Sequence, residues 1–186
     1  GNGPFNGPAD FTLYDRCITR GVPGSMFPAV YNANTRIVQG PGFVAITYEM
    51  IHETRIIPVD GRDHIASNIR QYHGDSRGRW EGNTLVIDSN NFNGLNWLDD
   101  SGNFYTDTAH IVERLTMIDR DTIHYEVRAE DPKVYTRPWT MAWAQVRVKD
   151  PGFELLEEAC REGEHDVEHL LQLGFKYYFG DTWRGR

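Results

Sequence analysis

The chain reads as mainly β: an antiparallel β-barrel or strongly curved sheet with one or two short C-terminal helices, or alternatively a β-sandwich. Three observations predict this. Runs rich in β-branched and aromatic residues recur from about residue 36 to residue 148. Gly, Pro, Asn and Asp clusters separate them. Apolar residues at helical spacing occur only at 64–70 and after Pro151.

At 186 residues, with no Pro/Ser-rich linker, the chain is one domain. Residues 1–13 have the composition of an extended arm, 14–150 form the β body, 151–174 are helical, and 175–186 are an aromatic tail. Within the body the predicted strands are 36–39, 43–50, 53–59, the two arms of a hairpin around Gly82-Asn83, 109–118, 122–129 and 139–148. Glycine and asparagine both tolerate the positive φ of a tight reversal, so the pair marks a hairpin turn. In 43–50, Val44, Ile46, Tyr48 and Met50 share one face; in 122–129, Ile123, Tyr125 and Val127 separate from His124, Glu126 and Arg128. Some eight short strands in hairpin succession give the barrel a lipocalin-like outline.

Composition excludes several classes. The formal charge of −8 and scattered basic residues argue against nucleic acid. No run of about 18 apolar residues is present, so no membrane span is expected. Lys133, Lys149 and Lys176 are the only lysines, and the many arginines point to internal ion-pair networks or to compositional bias. Cys17 and Cys160 would form a bridge on the order of 3–5 kcal/mol in an oxidising compartment, and two free thiols in a reducing one.

The chemistry concentrates in Tyr72-His73-Gly74-Asp75-Ser76-Arg77-Gly78-Arg79-Trp80-Glu81. Ser76 has no triad pattern around it, and there is no phosphate-binding loop or paired-cysteine zinc site. His165 and His169, at i and i+4, are the nearest approach to a metal site; without a third ligand, an exposed helix face explains them equally well, and no metal or other cofactor is expected. The oxygen-bearing loop Asp99, Ser101, Asn103, Asp107 lacks calcium-loop spacing and reads as a solvated turn.

Alternation puts Glu113 between Ile111 and Leu115 on a buried face. A buried carboxylate needs an arginine or its pKa rises towards neutrality. We read Glu113, with Arg114, as a structural pair bracing the barrel. His52 and His110 are the candidate proton-transfer residues, with Asp75 orienting a histidine or arginine. Arg55, Arg77, Arg79 and Arg137 would hold an anionic group, and Trp80 and Trp139 would wall the pocket.

The stretches Arg16-Cys17-Ile18-Thr19-Arg20-Gly21, Met50-Ile51-His52-Glu53-Thr54-Arg55-Ile56-Ile57-Pro58, Gly74 to Asp88, Thr136-Arg137-Pro138-Trp139-Thr140 and Ala159-Cys160 resemble a large family of exported bacterial proteins of unknown function. The resemblance spans roughly residues 14–163, and Gly-Asp-Ser-Arg-Gly-Arg-Trp-Glu-Gly at 74–82 is its most specific block. It implies a periplasmic or extracellular location and a Cys17–Cys160 pair. It implies no activity, and the segment after Cys160 departs from its pattern.

The functional expectation is an exported β-barrel that binds a small organic ligand in a polar and aromatic pocket, with cofactor-independent acid–base catalysis (lyase, isomerase or hydrolase) as an extension. The alternative is a non-catalytic structural protein, a homo-oligomer or filament assembled through arm and tail.

Overall fold

A computed structural model describes residues 12–29, 32–99, 102–158, 165, 172–174, 177–179 and 182–184. Eight strands build the body: β1 (Thr35–Gly40), β2 (Phe43–Tyr48), β3 (Thr54–Pro58), β4 (Asp75–Glu81), β5 (Thr84–Asn90), β6 (His110–Met117), β7 (Thr122–Glu130) and β8 (Trp139–Val146). A separate hairpin, β9 (Tyr177–Phe179) with β10 (Thr182–Arg184), follows.

The body is two antiparallel sheets, β1-β2-β3 and β4-β5-β6-β7-β8, each a simple meander. No closed barrel forms among the described residues: β3 and β4 belong to different sheets and share no ladder. Pro58, at the end of β3, has no N–H to offer a neighbour. The arrangement is compatible with the sandwich alternative.

The inner strands supply the core, whereas β1 and most of β8 stay exposed. Val44, Ile46, Tyr48 and Ile57 of the smaller sheet meet Leu85, Ile87, Ile111, Leu115, Tyr125 and Val127 of the larger one. Sheet contact is closest where β3 runs past β4. A Cβ at Gly78 would come within 2.7 Å of Val59 and 3.0 Å of Ile57, so glycine is what lets the strands approach there. Phe27, from the N-terminal segment, packs edge-on against Trp143, which in turn tilts onto Tyr125. The central hairpin turns at Gly82-Asn83, with Glu81 opposite Thr84 and Gly82 at φ 62°.

Two expectations need correction. Residues 64–70 are not helical. Their groups are engaged one by one: His64 and the Ile65 amide bond Asp75, the Ile65 carbonyl accepts from Asn91, and Arg70 reaches the carbonyls of Phe92 and Asp107. Side-chain partners of this kind compete with a helical ladder. Residues 153–158 are likewise irregular rather than helical. There Glu158 accepts the backbone N–H of Ile51, and its carbonyl lies 2.8 Å from His52 Nδ1, which ties the irregular segment after β8 back to the turn between β2 and β3. Most of 159–171, including Cys160 and His169, lies outside the described residues, as does the arm at 1–11.

Candidate functional site

The alternation of β4 divides the central polar block between two environments. Ser76 and Gly78 turn towards the core between the two sheets, whereas Asp75, Arg77, Arg79 and Glu81 share the opposite face.

Inside, Glu113 is fully buried, and its partner is Arg55 of the facing sheet rather than Arg114. Arg114 is one residue along β6, hence on the outer face, where it pairs with Glu81 at 2.9 Å. The Arg55–Glu113 contact is a fork: Nη2 to Oε2 at 2.7 Å and Nη1 to Oε1 at 3.2 Å. Arg55 also donates to Tyr48 and to the Ser76 and Ser89 hydroxyls, and Tyr125 donates to Glu113 Oε1 at 2.7 Å. Burial opposes the Arg55 charge, but Glu113 outweighs it and holds the guanidinium protonated. Burial pushes the Tyr48 hydroxyl up to about 12, and burial reinforced by Glu113 drives Tyr125 well above its usual value. Every strong acceptor in this cluster has a donor, and it is a core brace rather than a pocket.

Outside, acids and bases alternate in a row. Arg77 and His64 both reach Asp75 at 2.7 Å. His64 Nε2 lies 3.3 Å from Asp88, His110 Nε2 is 3.0 Å from the same carboxylate, His110 Nδ1 is 3.1 Å from Glu130, and Arg128 closes the row on Glu130 at 2.8 Å. The hydrogen bond to Asp88 raises the His110 pKa from 6.5 to about 9, against partial burial and with Glu130 assisting. Asp88 and Glu130 are lowered in return, each chiefly by its bond to His110. His110 is therefore a fixed cation at neutral pH. A third cluster, which sequence reasoning missed, joins Thr19, Glu53 and His73: the Thr19 hydroxyl donates to Glu53 at 2.9 Å and lies 2.8 Å from His73 Nε2, itself 2.7 Å from Glu53. The Thr19 oxygen also accepts the Gly21 amide.

The remaining expected pocket residues do not converge. Trp80 and Trp139 sit on the opposite edge strands of the five-stranded sheet, four strand spacings or roughly 19 Å apart. Trp139 packs edge-on against Tyr135, Arg79 pairs with Glu81, and Arg137 is exposed. His52 belongs to the β2–β3 turn, away from the His110 row. No group of three His, Cys, Asp or Glu among the described residues is arranged to hold a metal.

A concave site lies elsewhere. Between β1 and the ends of β7 and β8 lies a cleft of about 500 Å³, with Ile37, Ile123, Val146, Val148, Phe153 and Leu155 as part of its lining. That volume is within the range that takes a small organic molecule. Arg36, Arg120, Arg147 and Asp121 also line it. Arg147 is 3.3 Å from Asp121, and Lys149 reaches the same carboxylate at 2.9 Å. Among the described residues, Arg36 and Arg120 have no side-chain acid partner. No signal in the sequence separates these arginines from the paired ones, since pairing is decided by neighbours in space.

No protein-family model matches the chain, nor does any curated protein or solved structure.

Two predictions follow from the paired clusters. Glu113→Ala leaves Arg55 a buried cation with no carboxylate, and denaturant unfolding should show a loss of about 3–5 kcal/mol; an unchanged midpoint would remove the ion pair from its bracing role. For His110, the folded pKa of about 9 lies above the ordinary 6.5, so its stabilising contribution is complete below about pH 6.5 and disappears as pH rises through about 9. An NMR titration should place the His110 imidazole midpoint near 9, and a midpoint near 6.5 would mean that Asp88 and Glu130 do not hold it.

Proposed function

We propose that this is an exported binding protein that takes a small organic ligand in the mouth between its two sheets. The observation that carries the reading is the 500 Å³ cleft, whose lining mixes apolar side chains such as Ile37, Ile123, Phe153 and Leu155 with polar and charged ones in about equal measure. The polar block around Asp75 supports it by contrast, because its charges are already satisfied by one another. The candidate acid–base residues are similarly committed: His52 to the Glu158 carbonyl, and His110 to two carboxylates. The reading is thus binding without turnover.

The export part rests on the family resemblance, which brings with it a Cys17–Cys160 disulfide. Titration of thiols in denatured, non-reduced protein should find none; two reactive thiols would remove the bridge and weaken the exported location. Assembly through the arm and tail would involve residues that are mostly outside the described ones, and it has no comparable support.

Binding is tested with anilinonaphthalene sulfonate, whose fluorescence rises in an apolar site. Saturable one-site binding is expected. Phe153→Ser, which removes an exposed part of the wall, should weaken it about tenfold, a change of about 1.4 kcal/mol. Ile56→Ser, an exposed apolar residue on the outer side of β3, should leave it unchanged. Equal loss in both variants, or no binding at all, would sink the mouth as the site.

A further inference from the structure

We infer that the ligand is an organic anion: an acid headgroup, carboxylate or sulfonate in chemistry, on an apolar body. This deepens the reading above and rests on it. The cleft runs against the electrostatics of the whole chain. The protein carries a formal charge of −8, yet three arginines and a single aspartate line this mouth.

The single acid is shared. Asp121 takes Arg147 at 3.3 Å and Lys149 at 2.9 Å, so two cations divide one carboxylate. Its neighbour Asp119 is turned onto its own loop, accepting the Asp121 amide N–H at 2.8 Å. Arg36, on β1, and Arg120, in the β6–β7 turn, therefore reach the rim with no carboxylate among the described residues, from the two sides of the cleft.

Many of the other described arginines are paired, Arg55 with Glu113, Arg77 with Asp75, Arg79 and Arg114 with Glu81, Arg128 with Glu130, although Arg16 and the exposed Arg137 also have no carboxylate partner among the described residues. What sets Arg36 and Arg120 apart is their place: they line the same cleft as Arg147, where one shared aspartate faces three guanidinium groups, so an anionic ligand would meet positive charge that the described carboxylates do not neutralise. A guanidinium offers a planar fork of N–H donors, and its natural complement is a carboxylate or another oxyanion. The body of the ligand would lie against Ile37, Ile123, Phe153 and Leu155. A neutral ligand would leave both guanidinium groups to solvent and gain only from the wall.

A matched probe pair tests this in the intact protein: anilinonaphthalene sulfonate, and the uncharged N-phenyl-naphthylamine, which has the same aromatic body without the sulfonate. The anion should bind about tenfold more tightly or better. The double variant Arg36→Gln/Arg120→Gln should erase that preference while leaving the neutral probe unchanged. Asp121→Asn should do the opposite, releasing Arg147 and Lys149 and tightening anion binding about threefold. A role for Asp121 confined to the fold would not produce a gain. Equal binding of the two probes, or a preference that survives the double variant, overturns the anion while leaving the mouth intact. Failure of both probes overturns the mouth and the anion together. A particle mass that doubles with concentration and falls back when the anion is added would put a second copy in the cleft, and would overturn the proposal.

Discussion

The ion pair between Arg55 and Glu113 is the constraint on which the packing of the two sheets depends. Both side chains are almost completely removed from water, and they come from different sheets. Desolvating two charges costs several kcal/mol for each, and only good geometry with further hydrogen bonds offsets it. The fork supplies the geometry, and Tyr48, Tyr125, Ser76 and Ser89 supply the hydrogen bonds. Those four residues come from β2, β7, β4 and β5, so satisfying one charge pair fixes the relative placement of strands in both sheets. A one-residue slip of β3 or β6 would turn Arg55 or Glu113 to the outside and leave its partner unpaired in the core. An apolar pair of similar size would hold the sheets together as well, but it would not penalise such a slip so heavily.

The outer face of the larger sheet obeys the same accounting of charge in a wetter setting. Its acids and bases alternate from Arg77 to Arg128, and His64 joins the row from the irregular segment between β3 and β4. That segment is fastened to the sheet by its polar groups instead of by an apolar face. Asp131 does a parallel job on the other loops: it accepts the amides of Thr106 and Lys133 and the hydroxyls of Thr106 and Thr108. Although burial alone would raise its pKa, these donors lower it. In these clusters the density of ionisable groups is matched by their pairing with one another.

Much of the fold was legible because strand alternation and turn chemistry are local. Seven of the eight body strands overlap a run of β-branched and aromatic residues, whereas β4 is polar and is legible only as the first arm of the hairpin that Gly82-Asn83 marks. The burial of Glu113 between Ile111 and Leu115 also followed from a period of two. Its partner did not, because Arg55 lies 58 residues away on the opposing sheet. Helical spacing at 64–70 and 153–158 misled for a related reason: those residues find partners on other elements, among them Asp75 and the Ile51 amide, that no local pattern contains. The polar block was conspicuous in sequence and is consumed by its own pairing. The mouth was invisible, since nothing in the chain next to an arginine tells whether a carboxylate from another element will reach it.

The mouth in turn depends on how the sheets are joined. They touch closely at Gly78, against Ile57 and Val59, and are clamped centrally by Arg55 and Glu113. Along β1 and β8 no ladder joins them, and there the cleft opens. Its outer wall is not part of either sheet. Phe153 and Leu155 belong to the irregular segment after β8, and Glu158 secures that segment at the Ile51 amide and at His52. Ile51 and His52 hold left-handed backbone, φ 63° and 44°, which for a β-branched residue costs on the order of 1–2 kcal/mol. That conformation presents the amide to the Glu158 carboxylate, so the local strain is set against a charge-assisted hydrogen bond that positions the wall. The turn between β2 and β3 therefore helps to shape the cleft without lining it, through a contact that spans 107 residues of chain.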